Sequence, residues 1–335
     1  MRDPSVSVII NNYNYAEYVG DAIESVLGQV GAEVECIVVD DGSTDGSRSV
    51  IDSYPGVKRV YKNNGGQLSA IQAGFAQASG DVVVYLDSDD FLAPEACLEI
   101  RRAWRPDLSL LQYGLEIIDG AGKTIGAYPN QKFIAEGHLS FLLRYGYIPS
   151  SPMSGNAFSR AYLTSLFSMP APSEHMAADG YLAYCAPLYG KVGQIDRTLG
   201  YYRVHGRNTS PSAAVNAQTL QRQLLNDIKF REGLVRNIKR FGLIARTPLQ
   251  YLGPYDFRTI LILNRGYRDI SKVGDIGYPF AAAQAIKKFI TYPGIPVWKR
   301  VKNVLAVIAI AGLPPAIVRR ILPAETASSA VQVEM

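Results

Sequence analysis

The chain has 335 residues, 47% of them hydrophobic, and a formal net charge of +4. That length and apolar content carry one large domain or two modest ones with a sizeable core, which excludes wholesale disorder. The mild charge, with no zinc-finger spacing and no basic helix interleaved with aromatics, excludes a nucleic-acid binder. Three widely spaced cysteines, Cys36, Cys97 and Cys185, exclude a Cys-x-x-Cys metal site and a disulfide framework, and they fit a reducing, cytosolic compartment.

Val6 to Ile10 reads as a buried strand, and no secretory leader is expected ahead of it. Asn14 is the expected cap of the next helix, with Glu17 in the capping-box position. Tyr18, Ala22 and Val26 form one i,i+4 row of that helix, and Val19, Ile23 and Leu27 the adjacent one. Val34 to Asp40 is a second strand, and Asp41 to Gly46 turns into a second helix expected near Thr44. Val57 to Tyr61 is a third strand, broken by Asn63-Asn64-Gly65-Gly66. Leu68 to Ala78 is a helix with Leu68, Ile71 and Phe75 on one face, and Val82 to Leu86 is a fourth strand. Four strand–helix units with short connections predict an α/β fold: a doubly wound, mostly parallel, Rossmann-like sheet with right-handed crossovers.

The fourth strand ends in Asp87-Ser88-Asp89-Asp90, with Pro94 following. Like charges crowded at a sheet edge are costly unless a cation or a donor-rich ligand neutralises them. Hard divalent ions favour carboxylate oxygens and share them with substrate phosphates. An acidic turn capping the helix after Pro94 is the plainer alternative. In doubly wound sheets ligands bind outside the C-terminal strand ends. Those ends carry Asn11 and Tyr13, Asp40 and Asp41, Asn63 to Gly66, and Asp87 to Asp90. No Gly-x-Gly-x-x-Gly and no Walker-type Gly-Lys-Ser/Thr is present, so a dinucleotide or P-loop site is not expected.

Beyond Leu108, residues Leu110 to Ile118 and Thr124-Ile125 flank Asp119 to Lys123 as a hairpin. Asp179 to Leu188 reads as a helix, followed by strands over Lys191 to Ile195 and Leu199 to Val204. Gln218 to Phe241 and Pro248 to Tyr267 read as long helices, a helical C-terminal extension to the sheet.

Three segments in order, Val6 to Asn14, Val38 to Asp45 and Leu86 to Asp90, resemble the family 2 glycosyltransferases, which have the GT-A fold. The resemblance covers residues 5 to about 210. It implies a metal-dependent, inverting, non-processive transfer of one sugar from a nucleoside-diphosphate sugar, commonly a UDP-sugar, to an acceptor hydroxyl. It further implies that Asn11, Tyr13 and Asp41 contact the base, that Asp87 and Ser88 lie by the ribose, and that Asp89 holds Mn²⁺ or Mg²⁺. Asn11 departs from a common Thr, and Gln72 stands where many relatives have arginine. The catalytic base in the family is a carboxylate opening a helix before an aromatic, and Ala178-Asp179-Gly180-Tyr181 matches with Asp179. A helix N-terminus favours the ionised carboxylate. In Tyr201-Tyr202-Arg203-Val204-His205, with Arg207 beyond, the resemblance makes His205 a second metal ligand and Arg203 and Arg207 diphosphate contacts. No Gln-x-x-Arg-Trp, the mark of processive synthases, surrounds Trp104 or Trp298.

Between Ile276 and Ala324 there is no acidic residue, whereas Lys287, Lys288, Lys299, Arg300, Lys302, Arg319 and Arg320 are present. The apolar run Val304 to Val318 is shorter than the about 20 residues a membrane span needs. A basic, aromatic-bearing apolar segment with Trp298 and Tyr292 fits the surface of an anionic membrane. The expected organisation is a catalytic domain over 1–210, a helical region over 211–323 and a disordered tail over 324–335. The expected setting is the cytoplasm, with peripheral contact at the inner membrane face and a saccharide or lipid-linked saccharide as acceptor. Nucleotidyl transfer, or nucleotide-sugar binding without catalysis, are the competing readings. The first lacks its Gly-rich basic loop after the first strand, and the second is opposed by Asp41, Asp89, Asp179 and His205 standing together.

Overall fold

The structure, a computed structural model, describes residues 3–129, 133–169, 178–205, 217–266, 276–293 and 295–318. The chain divides into two compact units: Met1–Val204 with Arg236–Ala245, and His205–Val235 with Arg246–Met335.

The first unit opens with alternating strands and helices: β1 (Val6–Asn12), α1 (Val19–Leu27), β2 (Val34–Asp40), α2 (Ser47–Asp52), β3 (Lys58–Tyr61), α3 (Gln67–Gln77) and β4 (Val82–Asp87). These four strands are parallel, in the order β3-β2-β1-β4. The middle of β1 and all of β4 before Asp87 are apolar because helices or other chain cover both faces; Val8, Ile9, Ile10 and Val82 through Leu86 are fully buried. α3 lies so close to the sheet that a Cβ on Gly74 would meet Ile9 Cγ2 at 2.4 Å and Val39 Cγ2 at 2.9 Å. Only glycine permits that approach.

The remaining elements of this unit are β5 (Phe91–Leu92), α4 (Ala96–Ala103), β6 (Leu108–Asp119), β7 (Thr124–Tyr128), α5 (His138–Tyr145), β8 (Asn156–Ser159), α6 (Arg160–Phe167), α7 (Ala178–Cys185) and β9 (Lys191–Val204). They extend the sheet in the order β4-β8-β6-β9-β5, with β7 paired to β6 as the expected hairpin. β8 runs antiparallel to β4, so the residues entering β8 sit at the edge where β4 ends. The two strands read over 191–204 are one, β9, joined to β6 across register shifts.

The second unit is helical: α8 (Ala217–Arg240, whose last turns belong to the first unit), α9 (Pro248–Tyr251), α10 (Pro254–Gly266), α11 (Tyr278–Thr291) and α12 (Val297–Gly312). The helix expected over 248–267 is thus two, divided at Leu252-Gly253 ahead of Pro254, which opens α10. The core of this unit gathers Phe257, Leu261, Ala285, Phe289 and Val307. No helix among the described residues is long and apolar enough to cross a membrane. The tail over 324–335 lies outside the described residues.

Candidate active site

Parallel register decides which residues meet. Asn11 pairs with Val39 on one side and Asp87 on the other, and Asn12 pairs with Asp40. Neighbouring strands stand about 4.8 Å apart. The ends of β1, β2 and β4 therefore bring Asn11, Asp41 and the Asp87–Asp90 turn to one sheet edge.

The first turn differs from expectation. Asn14 does not cap α1, which starts at Val19 with no side-chain cap. Asn14 sits at φ 59°, a left-handed conformation that Asn tolerates. It joins the turn after β2: its N–H donates to Ser43 Oγ at 2.8 Å, and its Oδ1 accepts from Thr44 N at 2.8 Å. Buried Asp40 completes the junction, accepting from Asn12 Nδ2 at 2.8 Å and Ser43 Oγ at 2.5 Å. Asn12 and Ser43, neither expected in the site, thus fix its floor. Tyr13 stands 45% exposed above it.

The second helix begins only at Ser47, beyond the expected start near Thr44. Asp45 serves there, accepting from Ser47 N at 2.9 Å. Buried Asp41 accepts from Gly65 N at 3.0 Å, Gly66 N at 2.8 Å and the Lys62 ammonium. Gly42, at φ +78° with Asn64 N only 2.7 Å from where a Cβ would stand, lets the two loops close on each other. A carboxylate accepts about four hydrogen bonds, so Asp41 keeps one acceptor position. Asn11 contrasts with it: both its amide nitrogen and its amide oxygen are buried without a hydrogen-bond partner.

In the Asp87–Asp90 turn the carboxylates of Asp90 and Asp87 have different surroundings. Asp90 is buried and accepts from Ser154 Oγ at 2.6 Å and Arg203 N at 3.0 Å. Burial, then the charges of Asp89 and Asp87, push its carboxyl well above the usual range. Ser154, carried to this edge by the antiparallel run of β8, also accepts from Asp87 N at 3.1 Å. Ser88 is buried beneath the turn. Asp87 meets Gln67 Nε2 at 3.3 Å. Burial, then the charge of Asp89, then that of Asp179, push it up to about 8.

Asp179 occupies the first turn of α7 and accepts from Gly180 N at 2.7 Å. Burial raises its carboxyl above the ordinary value, and the Gly180 N–H opposes that rise. Arg203, near the end of β9, donates from Nε to the Asp89 carbonyl at 3.1 Å and from Nη2 to Asp21 at 2.6 Å, with its guanidinium over the Tyr18 and Phe91 rings. It clamps the turn to α1. His205 follows β9 directly and opens the second unit. Arg207 lies outside the described residues.

The donor set fits a hard cation. Crowded carboxylates whose ionisation is suppressed by burial and then by one another are what a divalent ion relieves. Among the described residues no three His, Cys, Asp or Glu side chains are grouped to hold a metal unaided. A hard cation held here would need substrate oxygens to complete its sphere, as Mg²⁺ commonly does with phosphates.

Residues 7–134 match the family described as Glycosyl transferase family 2. An uncharacterized glycosyltransferase of Nostoc sp. is 34% identical over 293 residues, spanning 83% of this chain and 90% of that protein. A chondroitin synthase of Pasteurella multocida is 39% identical over 99 residues, which is 28% of this chain and 10% of that one. The solved structure of S. aureus TarS 1-349 in complex with UDP-GlcNAc matches with a TM-score of 0.52 at 18% identity, covering 90% of each chain, and shows a shared GT-A fold. Likeness of this extent to the Nostoc protein, with the family pattern matched over the segment that holds all four parallel-strand ends, Asp87 to Asp90 among them, makes the chain a member of glycosyl transferase family 2.

Proposed function

We propose that the protein transfers one sugar from a nucleoside-diphosphate sugar, with uridine as the preferred base, to an acceptor hydroxyl, with inversion at the anomeric carbon. The reading rests on one observation: Asn11, Asp41 and the Asp87–Asp90 turn share a sheet edge that also feels the charge of Asp179. In this reading Asn11 supplies the unpartnered amide that a base edge satisfies, beside Asp41 and Tyr13. Asp87 and Ser88 serve the ribose. The complex of TarS with UDP-GlcNAc supports a nucleotide-sugar donor.

Asp89 would hold a divalent cation, Mn²⁺ or Mg²⁺. When bound, the ion offsets charge on the diphosphate leaving group. The assignment of Asp89 rests on the sequence resemblance, with the crowding of acids in the turn in its support. That of His205 as a second ligand, and of Arg207 as a diphosphate contact, rests on sequence resemblance alone. Arg203 acts by holding the Asp89 peptide in place, since its guanidinium already engages Asp21 and the Asp89 carbonyl. Asp179 takes the proton of the acceptor hydroxyl as its oxygen attacks, and burial makes it a stronger base than a free carboxylate. Catalysis belongs to residues 1–210. The acceptor is a saccharide or lipid-linked saccharide used in polysaccharide or glycolipid assembly.

Calorimetric titration with UDP, GDP, dTDP and CDP, each with Mn²⁺, Mg²⁺ or EDTA, tests the reading. One nucleotide binds in a metal-dependent way. Asp89→Ala abolishes the metal dependence, and Asn11→Ala weakens binding by about tenfold, as loss of a buried hydrogen-bonding group does. Absence of binding by every nucleotide overturns it.

A further inference from the structure

The outward face of α12 is apolar although no described part of the protein covers it. Val297, Val301, Leu305 and Ile308 are 75%, 55%, 61% and 54% exposed, and Trp298 is 55% exposed. At 3.6 residues per turn these five share one arc of about 100° with Gly312 inside it, Ala309 and Lys302 falling at its border within a further ~40°. The opposite face is also apolar, with Val307 fully buried and Ile310 nearly so against the core of α10 and α11. Lys299, Arg300, Lys302 and Asn303 confine the polar positions to the first two turns, and beyond them the helix is apolar all round, as a helix is that lies in a core or meets lipid. At 16 residues α12 is about 24 Å long, short of the ~30 Å hydrocarbon thickness.

Charge selects the occupant. No acid occurs between Ile276 and Val318. Of the five cations there, two face inward as structural donors. Arg300 binds the carbonyls of Ile290 at 2.6 Å and Ile295 at 2.7 Å, and Lys288 binds that of Gln250 at 2.7 Å. Lys287 and Lys302 are exposed, and Lys299 lies over the Trp298 ring at 5.1 Å. A second copy docked by the same face would bring like charges together in an isologous contact. An anionic lipid surface complements both the apolar arc and the lysines at its border.

We propose that the outward face of α12, formed by Val297, Trp298, Val301, Leu305 and Ile308 with Lys302, is a docking surface for anionic membrane, on which the helix lies in the interfacial plane. The tryptophan sits at headgroup depth and the aliphatic side chains enter the acyl boundary. The proposal stands independently of the donor-site reading, because lipid binding is measured without turnover.

The test is co-sedimentation of the full chain with phosphatidylglycerol-rich vesicles and with vesicles of phosphatidylcholine alone, over a salt series. The full chain binds the anionic vesicles and not the neutral ones. Val301→Ser with Leu305→Ser lowers the partition coefficient by about tenfold or more. Lys302→Gln lowers it by about fivefold at low salt, the factor given by ~1 kcal/mol per basic residue at an anionic surface. Circular dichroism and nucleotide binding report whether each variant folds, and Val297→Ser with Ile308→Ser serves as the second pair. Equal binding by both pairs and the parent, or no vesicle binding by the parent, overturns the proposal. So does concentration-dependent self-association in sedimentation velocity that the serine pairs abolish while vesicle binding is absent, which would assign the face to a second copy.

Discussion

Asp179 and Asp90 are both buried carboxyls pushed upward, yet their surroundings assign them different work. Asp90 is engaged inside the protein: Ser154 Oγ donates to one of its oxygens and the Arg203 peptide to the other. Asp179 accepts from the backbone N–H groups of Gly180 and of its own residue and so keeps acceptor capacity for a hydroxyl proton. Replacing Asp179 with Asn therefore lowers kcat by about a hundredfold to ten-thousandfold, as loss of a general base does. The nucleotide Kd stays where it was. Steady-state kinetics beside calorimetry check this, and a matching loss of nucleotide affinity would move Asp179 from base to binding group. Asp41 shows the same economy, since three internal donors hold it while one acceptor position remains.

At the scale of elements, Glu35 on β2 ties four segments together. It accepts from Ser7 on β1, the Lys58 ammonium on β3, and Ser79 N at 2.7 Å after α3. Burial alone would raise its carboxyl, but these donors hold it down to about 2. A folded value below the unfolded one means the contribution is fully present above about pH 4.5 and is lost as pH falls towards 2. Glu35→Gln thus costs about 2 kcal/mol near neutral pH, and the gap from the parent closes on acidification in urea titrations. Three of the parallel strands were legible in the sequence because burial on both faces writes Val8–Ile10, Cys36–Val39 and Val82–Leu86 as apolar runs, and the C-terminal ends of these strands named Asn11, Asp41 and Asp87. Helix starts were less so: Asn14 carries a capping signature, but Ser43 and Thr44, some 30 residues on, claim its backbone and side chain. β8 is four residues long, too short for periodicity to mark, and Ser154 meets Asp90 across 64 residues, a pairing that no local pattern records.

The whole molecule has two cores, and the helical one contains its own buried polar set. Asp227 on α8 and Asp256 on α10 are both pushed upward, Asp227 by burial and then by Asp256, and Asp256 by burial against the opposing pull of Arg231 and Lys288. Raised carboxyls stabilise most below the unfolded value, and that contribution is lost as pH rises through the folded one. The helical unit therefore weakens between about pH 4 and pH 7, and Asp227→Asn flattens that slope in thermal melts. An unchanged slope in the variant would place its origin elsewhere. The opposite end of the sheet has a practical consequence. Ser5 is tied through its N–H at 2.9 Å and its hydroxyl at 2.8 Å to Asp81, just where β1 and β4 begin. Anything joined to the chain ahead of Val6 is anchored behind the strands. A protein tethered there to a sensor chip or bead keeps its carboxylate edge turned to the solution, open to nucleotide and acceptor alike.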